Sequence, residues 1–497
     1  MVAATGCRIS LSFAAPRLLI PASTARAFAT ASAFFPDIDK VRYEGPSSRN
    51  PLAFKQYAED EVVAGRTMKE WLRFSIAYWH TWRGNGGDIF GLDGTINRPW
   101  EDRALSEMDM ALRRVDVNAE FCEKVGAPYY CFHDLDVRPE GATQAESDAN
   151  FDIVAERLGE VQAASGLKLL WGTANLFTPR RYMNGAATNP DPVRATGARP
   201  RHACAHRSAH RSARAPPKAV FARAAASVKK CLEVTHRLGG ENYVLWGGRE
   251  GYQSILNTNV RLELDNLARF LSMVAEHKHK VGFRGPLLLE PKPREPMAHQ
   301  YDYDAATVLG FLRQYGLQDE FALNLEANHG TLAGHTGEHE TAMAAAFGKL
   351  GSIDANRNEA MLGWDTDMFP NDVGLATYIM DVVLKQGGLA PGGLNFDAKV
   401  RRESTDVEDL FIGHINGMDT YARGLRNAAR MQAEGTMGAL VDERYAGYER
   451  TALGRKIVGG RTSLEELAAL VADEPEPQQR SAKVELYESI FLATMQE

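Results

Sequence analysis

Cysteine is scarce: the 497 residues hold only five (Cys7, Cys122, Cys131, Cys204 and Cys231), an odd number with no C-x-x-C pair. That pattern excludes a disulfide framework and points to a reducing compartment. Cys122 follows Leu105, Met108, Leu112, Val115 and Ala119 at steps of three and four, so it is expected to pack on a helix. The chain also lacks any run of about eighteen uncharged apolar residues, so no membrane span is read. A basic excess is missing too. The formal net charge is −7, and phosphate neutralisation needs clustered Lys and Arg, which argues against general nucleic-acid binding.

What is there is the composition of a globular protein, 44% apolar and 24% charged, long enough for one large core or two ordinary domains. The first 36 residues are different. They carry Arg8, Arg17 and Arg26, seven Ser or Thr and no acid before Asp37, which is transit-peptide chemistry. Arg17 and Pro21 interrupt the apolar stretch a secretory signal would need. Residues 1–36 are therefore expected to be a transit peptide, mitochondrial and cleaved near Phe28, or else a disordered leader, with plastid or cytoplasmic location as the alternatives.

Eight short apolar runs recur, each ending on polar or aromatic residues: "SIAYWH", "YYCFHD", "KLLWGTAN", "NYVLWGGRE", "LLLEPK", "ALNLEANH", "GSIDAN" and "GLNFDAK". Stretches with helical spacing separate them, at 101–125, 145–165, 260–280 and 371–386. Eight strand-helix units predict an α/β fold, a (β/α)8 TIM barrel over 37–435. A helix at 406–435 closes it, and a C-terminal helical tail at 436–497 is expected to make subunit contacts.

Residues 193–219 do not fit this pattern, holding seven Lys or Arg and no acid, while the rest of the chain has 50 bases against 64 acids. His202, His206 and His210 with Cys204 raise the thought of a metal, and the arginines that of nucleic acid. Almost no large apolar residue is present to bury, so the segment is read as a basic disordered insertion.

In a barrel of this kind chemistry sits where strands end. That edge carries His133, Glu290, Lys292, Glu326, Asp354 and Asp397, and "LGWDTDMFP" adds Asp365 and Asp367 near the single cation Arg357. At about 5 Å and an effective dielectric of about 20, each pair of carboxylates repels by roughly 3 kcal/mol. Lys292 alone cannot offset six of them. Divalent cations can, and oxygen-rich ligation with one imidazole points to Mg²⁺, Mn²⁺ or Co²⁺.

Spacing suggests two ions. Asp365 and Asp367, two apart on an extended segment, would point to one side, and Glu326 with His329 would approach from one strand end. Two-metal sites suit displacement at phosphorus or polarisation of adjacent polyol oxygens. His133 before Asp136 suggests an imidazole whose proton is fixed by a carboxylate. Trp79 and Trp246 at strand ends would exclude water, which favours a rearrangement over hydrolysis.

At these residues the chain resembles the xylose isomerase family, in its longer-chain class. The matching blocks include "YYCFHDLDVRPEG", "KLLWGTANLF", "LLLEPKPREP", "NLEANHGTLAGH", "LGWDTDMFP" and "GGLNFDAKVRR", in order over about 37 to 475 with only 193–219 unmatched. The resemblance implies a homotetramer that converts D-xylose to D-xylulose, and D-glucose to D-fructose more weakly, with two divalent cations per subunit. It assigns one metal to Glu290, Glu326, Asp354 and Asp397, and the second to Glu326, His329, Asp365 and Asp367. His133 with Asp136 would assist ring opening, Lys292 would contact the carbonyl oxygen, and a 1,2-hydride shift would follow. Phe90, by the same matching, would enter a neighbouring subunit's pocket. Gly330 and Gly337 stand where the family usually has alanine and a bulkier residue. The rivals are another two-metal barrel enzyme, a sugar epimerase or a phosphodiesterase, and an inactive homologue disabled by the insertion.

Overall fold

The computed structural model describes residues 33–190 and 220–495. The leader up to residue 32, and all of 193–219, lie outside the described residues. The last residues assigned to the leader behave differently from that assignment. Phe35 is 2% exposed, with Trp100, Phe121 and Phe411 edge-on to its ring at 5.7, 5.9 and 5.2 Å. Phe34 stacks under Arg113 and its N–H donates to Glu120 Oε2 at 2.7 Å. The folded chain thus includes Phe34 and Phe35, because two large rings with a receptive aromatic pocket gain more buried in the core than exposed.

Eight parallel strands form a closed barrel: β1 (Phe74–Ala77), β2 (Tyr129–His133), β3 (Lys168–Thr173), β4 (Asn242–Trp246), β5 (Leu287–Glu290), β6 (Phe321–Glu326), β7 (Leu350–Asp354) and β8 (Leu394–Phe396). All eight apolar runs are therefore strands. Being covered on both faces, they read as continuous apolar runs rather than alternating ones, as in β2, where all five residues are buried. Each is followed by a helix: α1 (Glu107–Val125), α2 (Gln144–Ser165), α3 (Val220–Arg237), α4 (Val260–Val281), α5 (Ala305–Gln314), α6 (Gly337–Ala346), α7 (Val373–Gln386) and α8 (Val407–Glu434). Side chains of Ser106, Thr143, Asn259, Asp304, Thr336, Asp372 and Asp406 cap seven of these, which fixes where each helix begins. Leu105 falls before the cap and is not part of α1, whereas Cys122 is buried on it.

The main core lies between sheet and helices, while Tyr129, Cys131, Leu170, Trp171, Val244 and Leu288 fill the barrel interior. Gly417 lets α8 lie close on β8, and Gly413 lets it lie close on Phe369 in the loop after β7: a Cβ would stand 2.6 Å from the Phe396 ring at Gly417 and 2.7 Å from the Phe369 ring at Gly413. That close packing sets the end of β8, and so Asp397. Beyond α8 come α9 (Thr436–Arg450), α10 (Ala452–Val458), α11 (Leu464–Val471) and α12 (Val484–Thr494). Neither α9 nor α11 buries a residue, and Tyr445, Tyr448, Leu464 and Leu470 are exposed. No helix among the described residues is long and apolar enough to cross a membrane.

Candidate active site and metal centre

The strand ends converge. His133 is the last residue of β2, Glu290 of β5, Glu326 of β6 and Asp354 of β7, and Asp397 follows β8 directly. Ligand atoms of Glu290, Glu326, Asp354 and Asp397 lie within 4.8 Å of one another, as do those of Glu326, Asp365 and Asp367. His329, on the short helix Ala327–Leu332 after β6, holds Nε2 3.3 Å from Glu326 Oε2 and 3.4 Å from Asp365 Oδ2. The two acid groups share Glu326.

Crowding shows in the proton equilibria. Burial, then the charges of Asp354 and Asp397, push Glu290 well above the usual carboxylate range. Burial and four neighbouring carboxylates do the same to Glu326, and burial with Asp397 raises Asp354 to about 8. Among the described residues, Glu326 Oε2 and His329 Nδ1 are buried with no hydrogen-bond partner. Buried acceptors without a donor, among carboxylates that repel one another, are what a divalent cation satisfies, so the residues fit such ions.

Asp365 and Asp367 reach this place by another route than the extended segment expected. Asp367 has φ 44°, in the left-handed region, which a short polar side chain tolerates better than a branched one. The turn is held through its carbonyl, which accepts from Lys399 N–H at 2.8 Å and from Arg401 at 2.9 Å. Both side chains still converge: Asn328 Nδ2 donates to Asp365 and, at 3.0 Å, to Asp367 Oδ1.

The cations are also more numerous than Lys292. Its ammonium meets Asp365 and lies 5.2 Å over the ring of Trp246. Burial would lower Lys292, yet the charge of Asp365 holds it above the ordinary lysine range. Lys399 bonds Asp367 Oδ2 at 2.8 Å, and His80 Nε2 lies 3.1 Å from Asp367 Oδ2 and 2.9 Å from Asp397 Oδ1. Burial alone would raise Asp367, but Lys399 and His80 hold it well below the usual range. Burial would lower His80, and the same two carboxylates raise it to about 9. Arg357, the one cation near these aspartates in sequence, turns instead toward Glu359.

Sequence reasoning missed His80, Lys399 and a set of buried asparagines. Asn324 donates to Glu290 at 3.0 Å and to Asp354 at 2.7 Å, Asn395 to Asp354 at 2.8 Å, and Asn356 to Glu326 at 2.7 Å. A signal was present. Asn324 precedes Glu326 by two, Asn356 follows Asp354 by two and Asn395 precedes Asp397 by two, the spacing that puts neighbours on one side of a strand.

A cavity of about 180 Å³ opens beside these groups, lined by Trp79, His133, Trp171, Phe177, Trp246 and Lys292 as well as the acids. Trp79 Nε1 donates to Asp397 Oδ1 at 2.8 Å, and its ring meets His133 edge-on at 4.5 Å. Phe177, which sequence reasoning also passed over, spans His133 and Trp246 at 5.3 and 4.4 Å. Asp136 Oδ2 accepts from both the backbone N–H of His133 and its Nδ1, each at 2.9 Å. A carboxylate can only accept, so Nδ1 carries the proton and Nε2 the lone pair. Phe90 does not line this cavity; it is 81% exposed, against Trp364 at 5.7 Å.

Comparison with known proteins adds the lineage. A family model described as the XylA2 C-terminal domain matches residues 441–495. A xylose isomerase of Arabidopsis thaliana is 52% identical over 93% of this chain and 91% of its own length. Xylose isomerases of Brucella abortus and Escherichia fergusonii are each 52% identical over 92% of this chain and 98% of theirs. With that identity across nearly the whole described barrel and its ordered strand-end residues, the chain belongs to the xylose isomerase family.

Proposed function

We propose that this enzyme converts D-xylose to D-xylulose, and D-glucose to D-fructose more weakly, in D-xylose metabolism. The observation that carries the reading is the pair of acid groups sharing Glu326 beside a proton-fixed histidine in an aromatic-walled cavity. Glu290, Glu326, Asp354 and Asp397 would hold one cation, and Glu326, His329, Asp365 and Asp367 the other, Mg²⁺ or else Mn²⁺ or Co²⁺. When bound, such ions polarise adjacent oxygens of an open-chain sugar, which eases a 1,2-hydride shift.

The chain's own residues do the rest. His133 Nε2, its tautomer set by Asp136, exchanges the proton that opens the sugar ring. Lys292, anchored by Asp365 and backed by Trp246, offers its ammonium to the carbonyl oxygen. Trp79, Phe177 and Trp246 keep water from the migrating hydride. Phe90, exposed on its own subunit, would complete a neighbour's pocket in a homotetramer, with the exposed apolar side chains of α9 to α12 as further subunit contacts. A mitochondrial address rests on the composition of the first 36 residues.

The test is D-xylulose formation from D-xylose after EDTA treatment and with Mg²⁺, Mn²⁺ or Co²⁺ restored, beside a version lacking 193–219. Metal-restored activity in both supports the reading, and activity only in the deletion makes that segment inhibitory. Silence in both with metal bound overturns it in favour of an epimerase, a phosphodiesterase or an inactive homologue.

A further inference from the structure

A second group of ligating side chains stands apart from the cavity, at the start of α6. His335, His339 and Glu340 each bring one ligand atom within 4.8 Å of the others. His335 directly precedes the N-cap Thr336, and His339 and Glu340 follow in the first turns. Glu340 is 4% exposed, and its Oε2 accepts from Ala305 N–H at 2.8 Å. Gly330 makes room for it, since a Cβ there would stand 3.1 Å from Glu340 Cγ.

The histidines are oriented as well as near. His335 Nε2 lies 3.2 Å from Asp304 Oδ2, and because the carboxylate can only accept, Nε2 carries the proton and Nδ1 keeps its lone pair. Metal-bound imidazoles are held in this way, with the remote nitrogen donating to a carboxylate. The ring of His339 stacks on that of His335 at 4.6 Å and faces solvent, so it can turn toward an ion without disturbing the core. Helix capping explains Thr336 and Asp304, but not a buried glutamate set beside two imidazoles.

We propose that Glu340, His335 through Nδ1 and His339 bind a transition-metal ion of the zinc class, with water in the fourth position toward solvent. Two imidazoles and a carboxylate suit Zn²⁺ better than Mg²⁺, which prefers oxygen alone. The site is separate from the acid groups at the strand ends and does not depend on the isomerase reading.

The test uses the full chain in excess Mg²⁺, dialysed against dilute Zn²⁺, with bound zinc counted by mass spectrometry in the parent and in His339→Ala. Any zinc that displaces Mg²⁺ at the strand ends is common to both, so the difference isolates this site. The parent is expected to hold one more zinc per subunit. Asp304→Asn is expected to weaken that zinc by about 10–100-fold, as removal of a carboxylate behind a ligating histidine does. The circular dichroism spectrum reports that each variant is folded, and His335→Gln repeats the loss from the other imidazole. Equal zinc in the parent and in both folded histidine variants overturns the proposal.

Discussion

Asn356 donates one carboxamide to two acceptors, Glu326 Oε1 at 2.7 Å and the backbone carbonyl of Asp397 at 2.8 Å. Lying just past β7, it ties the ends of β6, β7 and β8 together around the carboxylate that both acid groups share. Its replacement is therefore expected to act on metal affinity before fold. Asn356→Ala should weaken Mg²⁺ by about 10–100-fold, read as the midpoint of Mg²⁺-dependent D-xylulose formation, with the circular dichroism spectrum unchanged. An unmoved midpoint would reduce Asn356 to core filling.

Metal binding should release protons. With no ion present, Asp354 is held at about 8 and so binds a proton at pH 7, while Glu290 and Glu326 are pushed well above the usual carboxylate range by burial and their neighbours' charges. Ions bind the deprotonated forms, and affinity should rise with pH until about 8. Calorimetry in buffers of different ionisation enthalpy measures the release. The sign for stability follows. Between the unfolded value of about 4 and 8 the folded, EDTA-treated chain keeps protons that the unfolded chain has lost, so its stability falls as pH rises.

His414 gives the opposite slope. Buried completely among Phe121, Phe369 and Phe396, it donates Nδ1–H to Leu410 O at 2.8 Å, and burial pushes its pKa down to about 4. A histidine kept neutral in the fold contributes fully above its unfolded value of about 6.5, and that contribution is lost as pH falls from there to about 4. The interval corresponds to about 3 kcal/mol. Urea unfolding at pH 7.5 and pH 5 should show a steeper loss in the parent than in His414→Asn.

Phe35 marks where the folded chain is already under way. Its ring fills a site among Trp100, Phe121 and Phe411, so Phe35→Ala should cost about 3–5 kcal/mol, seen as a lower urea midpoint. A change near zero would return residues 33–36 to the leader.

The barrel and most of the candidate site were legible because both depend on short-range pattern. A strand covered on both faces must be an unbroken apolar run, and a carboxylate that closes such a run must stand at the barrel mouth, as Glu290, Glu326, Asp354 and Asp397 do. Their mutual repulsion follows from charge alone, so the expectation of cations among them needed no coordinate. The asparagines were half legible: their two-residue spacing is in the sequence, but nothing in that spacing says which oxygen each one reaches.

Position in three dimensions decided what pairs with what. Arg357 is near Asp354 and Asp365 along the chain and turns away from both, while Lys399 and His80, distant in sequence, supply the charge at Asp367. Phe35 looked like the end of a polar leader until an aromatic pocket built from α1, α8 and Trp100 received it. Asp367 reads as extended by its neighbours, and a left-handed turn fixed by Lys399 and Arg401 brings it to the site. Sequence alone determined the strands, the acids that end them and the family; tertiary structure decided the partners, because Coulomb and packing energies depend on distance through space and a chain's periodicity records only distance along itself.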